Sequence, residues 1–156
     1  MIEIDIPGFA SLRLVHLVSD YNGTLALDGH LLPGVAEALR AVAPALTIHV
    51  VTADTFGIAA AELAGLPLTL TITPPDDQAA AKLALVNGLG ASSVVAIGNG
   101  RNDRLMLQAA ALGLALVQKE GGAAETIASA DVLAASVLDA LDLLQQPMRL
   151  RATLRS

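Results

Sequence analysis

The chain has 156 residues, no cysteine, a formal net charge of −6 and 54% hydrophobic residues, which gives room for one domain spanning 1–156 with a real core. Without cysteine there is no disulfide framework, thiolate nucleophile or zinc–thiolate site. The acidic balance and the shortage of aromatic residues disfavour nucleic acid, whose binding surfaces are basic and carry stacking rings.

The apolar residues fall in short Ala, Leu and Val segments broken by Gly, Pro and charges. None reaches the roughly 18 consecutive residues expected of a membrane span, and the start MIEIDIPGF lacks a basic region ahead of an apolar one. No membrane partner and a cytoplasmic location are the expectation.

In chain order, Ile2 to Ile6 and Leu12 to Ser19 read as strands, the first as part of an N-terminal β-hairpin extension. A helix follows over Gly34 to Ala43, a strand over Leu46 to Val51, a helix over Thr55 to Ala64 and a strand over Leu68 to Ile72. Asp77 to Leu89 reads as a helix, Val94 to Ile97 as a strand, Asn102 to Ala111 as a helix and Leu114 to Val117 as a strand. Ala123 to Ala128 and Val137 to Gln145 carry helical spacing, with a further strand near Val132 and a last short helix after Pro147. The strands TIHVVT and SSVVAIG are apolar on both sides, which suits a parallel sheet covered on both faces. The fold class is therefore α/β, a doubly wound, Rossmann-like parallel sheet. In such sheets ligands bind beyond the carboxyl ends of the strands.

Polar clusters stand at those ends: Asp20 to Thr24 in DYNGT, Thr52 to Thr55 after IHVV, and Gly98 to Asp103 in GNGRND. Lys82 lies inside the helix that begins near Asp77. A carboxylate, a hydroxyl, an ammonium and a second carboxylate meeting along one sheet edge have the chemistry of a phosphoryl-transfer site. GNGRND lacks the third glycine of a dinucleotide fingerprint, and no GxxxxGK[ST] loop occurs. His16, His30 and His49 show no ligand spacing, and His16 and His49 are expected in the core or at an edge. Asp54 reads as a helix cap.

The order DxNGT, strand-terminal Thr52, Lys82 and GNGxND resembles the haloacid dehalogenase superfamily of phosphatases and phosphotransferases, over nearly the whole chain. DYNGTLALDG, TADTFG, AIGNGRND and LLQQPMRLRATLR are most similar to its small soluble, P-type ATPase-like phosphatases. The resemblance implies that Asp20 is the nucleophile forming an aspartyl-phosphate. Gly23, Thr52, Ala53 and Lys82 would then bind the phosphoryl group. Magnesium would be held by Asp20, the backbone carbonyl of Asn22, Asn99 and Asp103. LALDGHLLPG is similar to the family's flap hairpin, and the intervals from Thr24 to Thr52 and from Thr52 to Lys82 leave no space for a cap domain. A capless member is implied, with a phosphorylated substrate and a homo-oligomer as expected partners.

Two positions depart from the family's pattern. Asn22 stands where the phosphatases carry an aspartate that protonates the leaving group and then activates water, and an amide can do neither. Asn99 stands where an aspartate binds magnesium, so the donor there is uncharged. The expected activity is therefore a magnesium-dependent phosphohydrolase slowed by both changes. The alternatives are a phosphate- or metal-binding regulatory module of the same fold that turns over negligibly, and a receiver-like domain phosphorylated on Asp20, which would have no need of the GNGRND loop.

Overall fold

In the computed structural model, which describes residues 1–156, the chain opens with an antiparallel hairpin of β1 (Ile2–Ile6) and β2 (Ala10–Leu14). The strand expected over Leu12 to Ser19 is thus two. At Val15 the ladder changes partner: its N–H donates to Ser93 O at 2.8 Å and its carbonyl accepts from Thr47 N at 2.9 Å. Beyond it β3 (His16–Ser19) runs parallel to two neighbours instead of antiparallel to β1. A periodic run cannot reveal such a handover, because side chains alternate in the same way on both sides of it.

The remaining elements follow as β4 (Ala26–Leu27), β5 (His30–Leu31), α1 (Val35–Val42), β6 (Thr47–Thr52), α2 (Ala59–Glu62), β7 (Leu68–Ile72) and α3 (Gln78–Leu89). After them come β8 (Val94–Gly98), α4 (Arg104–Ala109), β9 (Leu112–Leu116), α5 (Ala124–Ala128), β10 (Val132–Ala134), α6 (Val137–Gln145) and α7 (Pro147–Leu154). Six strands form one parallel sheet in the order β10-β9-β8-β3-β6-β7. The chain winds outward from β3 through β6 to β7, returns to β8 on the other side of β3, and winds outward again. The reversal lies between β3 and β8, where a crevice opens at the strand ends.

Alternate side chains of each strand bury into different layers. Leu17, Val50, Val95, Ile97 and Leu114 pack with α1, α6, α7 and the hairpin, whereas Val18, Val51, Val94, Ala96 and Ala115 pack with α3 and α4. Each fully buried aliphatic side chain contributes about 1.5–3 kcal/mol relative to exposure, so both layers hold the strand ends in place. No helix is long and apolar enough to cross a membrane.

The helix expected over Thr55 to Ala64 is confined to Ala59–Glu62, shorter at both ends and most at its start. Asp54 adopts φ 52° and its Oδ1 accepts from Ile58 N at 3.1 Å and Ala59 N at 3.0 Å, so the cap comes with a turn through Gly57 (φ 70°) before α2 begins. Asn102 and Asp103 likewise form the helical turn that precedes α4.

Candidate active site

Asp20 directly follows β3, and its N–H still donates to Ile97 O of β8 at 3.0 Å. The carboxylate is therefore fixed at the crevice where the winding reverses. It is buried, as are Thr24, Thr52, Lys82, Asn99 and Asp103. Lys82 reaches it from α3: Nζ lies 2.8 Å from Asp20 Oδ1, 2.6 Å from Asp103 Oδ1 and 3.1 Å from Asn102 Oδ1. Burial alone would lower the pKa of this ammonium, but Asp20 and Asp103 more than offset it and hold it above its ordinary value. Lys82 therefore remains charged at neutral pH. Burial, followed by the charge of Asp20, raises the Asp103 carboxyl above the ordinary carboxylate range, against the opposing pull of Lys82 and the Gly100 amide.

Asp103 stands behind Lys82. Its Oδ2 accepts from the amides of Asn99 at 3.0 Å and Gly100 at 2.8 Å, which shapes the GNGRND turn. With Oδ1 on Lys82, this side chain orients the ammonium and the turn instead of facing open space. Gly98 permits the arrangement, since a Cβ there would come within 2.5 Å of Asp103 Cγ.

Asp20 Oδ2 faces the other way. The Thr24 hydroxyl donates within 3.3 Å of it and 3.2 Å of Asn99 Oδ1, so these two oxygens converge on one hydroxyl. Asn99 Nδ2 donates to Gly121 O at 2.9 Å, which turns the amide oxygen toward Asp20. Such an all-oxygen set, with a carboxylate and an amide oxygen adjacent, fits a hard divalent cation such as magnesium.

A polar cleft of about 390 Å³ opens above, lined by Asp20, Asn22, Thr52, Ala53, Lys82 and Asn99, together with Thr55, Gln78, Gly100, Arg101, Asn102 and Glu120. Thr52 Oγ1 accepts from Asp54 N at 3.0 Å, which leaves its proton free to donate into the cleft. Gly23 and Asp103 do not line this space. Gly23 adopts φ 80° beneath Asn99 and Glu120, and a Cβ on it would meet both.

The flap expected after Asp20 is the β4–β5 hairpin, turned at Asp28 (φ 51°) and Gly29 (φ 84°), the left-handed pair a tight hairpin turn requires. Asn22 Oδ1 accepts from Gly29 N at 3.0 Å, tying the amide to the flap. The buried Tyr21 hydroxyl donates to Gly29 O at 2.8 Å; burial, with smaller contributions from Glu62 and Asp54, pushes its pKa to about 12 and keeps it a donor. His30 lies on this flap and pairs with Glu62 at 3.5 Å instead of lining the cleft.

Sequence reading singled out neither Gln118 nor Glu120. Gln118 Nε2 donates to Gly23 O at 3.1 Å and Thr24 O at 2.9 Å while its Oε1 accepts from Val137 N at 2.8 Å, so it clamps the DYNGT turn to the start of α6. No motif signals it, because its partners are 94 and 95 residues away in sequence. Thr24 and Asn102 lie inside DYNGT and GNGRND, where their polar side chains are the available signal.

No family model matches the sequence. Among solved structures, the chain is similar to 3-deoxy-D-manno-octulosonate 8-phosphate phosphatase of Moraxella catarrhalis, in complex with magnesium, phosphate and KDO, at TM-score 0.72 and 18% identity over 85% of this chain and 86% of that one. The cobalt-bound deoxy-D-mannose-octulosonate 8-phosphate phosphatase of Haemophilus influenzae aligns at TM-score 0.66 and 13% identity over 92% and 94% of the two chains. A zinc-transporting PIB-type ATPase aligns at TM-score 0.58 and 27% identity over 79% of this chain, which spans 20% of the ATPase. The fold defines the class: the chain shares the doubly wound architecture of these phosphatases, with its polar clusters along one sheet edge. Within it, the chain belongs to one family with the uncharacterized protein MJ0073 of Methanocaldococcus jannaschii, to which it is 47% identical over 62 residues, 40% of this chain and 67% of that protein.

Proposed function

We propose that this protein is a magnesium-dependent phosphohydrolase that works through an aspartyl-phosphate on Asp20. The observation that carries the reading is the environment of that carboxylate: Oδ1 is held by Lys82 at 2.8 Å, Oδ2 is turned toward Asn99, and both lie at the floor of a polar cleft. The phosphatase folds reported above, one of them in complex with magnesium and phosphate, support it.

Asp20 attacks phosphorus through Oδ1; the new P–O bond forms as the bond to the leaving oxygen breaks. Lys82 and the Thr52 hydroxyl stabilise the charge on the phosphoryl oxygens. Asp20 Oδ2, the Asn22 carbonyl and Asn99 Oδ1 would hold the magnesium, with Asp103 acting on it through water because both its oxygens already have partners. Bound there, the ion neutralises phosphoryl charge and orients the phosphate. The leaving oxygen takes its proton from water, since the Asn22 side chain has none to give as an acid. Water then attacks phosphorus, the P–O bond to Asp20 breaks, and phosphate leaves.

Asn22 also motivates the second reading, a phosphate- or metal-binding module with negligible turnover, because its amide oxygen is bonded to the flap at Gly29 N. One experiment separates the two. The protein is incubated with magnesium and an aryl- or acyl-phosphate, and both phosphate release and the mass of the Asp20 peptide are followed. Steady release that Asp20→Asn abolishes supports the phosphatase, and labelling without release indicates a trapped phosphoenzyme. Neither signal would favour the binding module, while activity retained in Asp20→Asn would refute the nucleophile.

A further inference from the structure

The loop between β9 and α5 is pinned to both halves of the cleft. Gln118 bonds the carbonyls of Gly23 and Thr24, and further along Gly121 O accepts from Asn99 Nδ2 while Ala123 N donates to Asn99 O at 2.8 Å. Glu120 lies between these ties and lines the cleft with Asp20, Asn22 and Asn99. A methyl group placed on Gly23 would come within 2.7 Å of Glu120 Cδ and 2.7 Å of Asn99 Oδ1 at once, so the two side chains meet over Gly23. The Glu120 carboxylate makes no hydrogen bond or ion pair with the protein, whereas the nearby Glu125 pairs with Arg101 and Arg104.

An unpaired carboxylate at the mouth of a cleft that would receive phosphate adds negative charge where a dianion must approach, and like charges repel. A cation between them reverses the sign. We infer that Glu120 is part of the divalent-cation site, supplying from the β9–α5 loop the negative charge that Asn99 lacks, either as a ligand or through an intervening water. The inference rests on the phosphoryl-transfer reading above, and it extends the cation site to a residue outside the four motifs.

Manganese, which shares magnesium's preference for oxygen ligands, reports on this directly. Mn²⁺ is titrated into the full chain without substrate and free ion is read by electron paramagnetic resonance, for the wild type, Asp20→Asn, Glu120→Gln, and Glu120→Gln combined with Asn99→Asp. Glu120→Gln is expected to raise the Mn²⁺ Kd about tenfold, the lower end of what loss of a supporting group costs a metal site, with the metal-free melting temperature unchanged because Glu120 is exposed. Asn99→Asp in that background should recover the affinity by restoring the charge on the neighbouring side chain. A Glu120→Gln Kd within twofold of wild type, alongside lost binding in Asp20→Asn, overturns the role of Glu120 and leaves the cation site standing. Weakening that Asn99→Asp fails to reverse overturns the charge replacement. A wild type that binds no Mn²⁺ overturns the metal-dependent reading itself, and Glu120 with it.

Discussion

On one side of Asp20, Lys82 Nζ makes three contacts between 2.6 and 3.1 Å and Asp103 has both oxygens bonded, with the Lys82 and Asp103 side chains themselves buried. On the other side Asp20 Oδ2 has a single 3.3 Å contact, Asn99 offers an uncharged oxygen, Asn22 leans on the flap, and Glu120 has no partner. The closed half is fully paired, and the open half holds the two amides, Asn22 and Asn99, that stand where the resemblance would place carboxylates. A buried charge network tolerates no partial change, because a lost partner leaves an uncompensated ion. On the solvent-facing side, water or a neighbouring loop can make up for a missing charge, so an amide in place of a carboxylate costs less there.

The sharpest way to break this contrast is Lys82→Met. It strands two buried carboxylates, and unfolding in denaturant should show a loss of about 3–5 kcal/mol together with loss of Asp20 labelling. A variant as stable as wild type would mean that the closed half is not held by its charges. Asn22→Asp probes the open half and should leave stability nearly unchanged. By returning a proton carrier it should accelerate decay of the phosphoenzyme about 10²–10⁴-fold, read in single-turnover phosphate release; an unchanged rate would place the limiting step elsewhere.

The smallest effect is expected far from the cleft, at the half-buried pair on β3 and β6 where His16 Nδ1 and His49 Nε2 lie 3.2 Å apart. Burial, and then the neighbouring His16, lowers the pKa of His49 from 6.5. The native state therefore resists a proton that the unfolded chain accepts, so stability held above pH 6.5 declines as pH falls below it. Urea midpoints on either side of that pH should show the decline, and His49→Gln should flatten it. A slope that survives the substitution would assign the effect to other groups.

The sequence by itself determined the class of fold, the places where the strands end, the four polar clusters and the two amide substitutions. Apolar runs and the residues that terminate them are local, and in a parallel sheet every carboxyl end falls on the same edge. Thr52 and Asn99 could therefore be assigned to the neighbourhood of Asp20 without coordinates, and the family resemblance added Lys82 from its helix. Only the tertiary structure decided which way each polar atom faces. It turned Asp103 toward Lys82 and the Asn99–Gly100 amides, split the run Leu12 to Ser19 at Val15, set Gln118 against Gly23 and Thr24, and brought His16 to His49. These contacts join residues on separate elements, so they leave no periodicity and no spacing in the chain. Their partners are chosen by the register of neighbouring strands and the path of the loops between them.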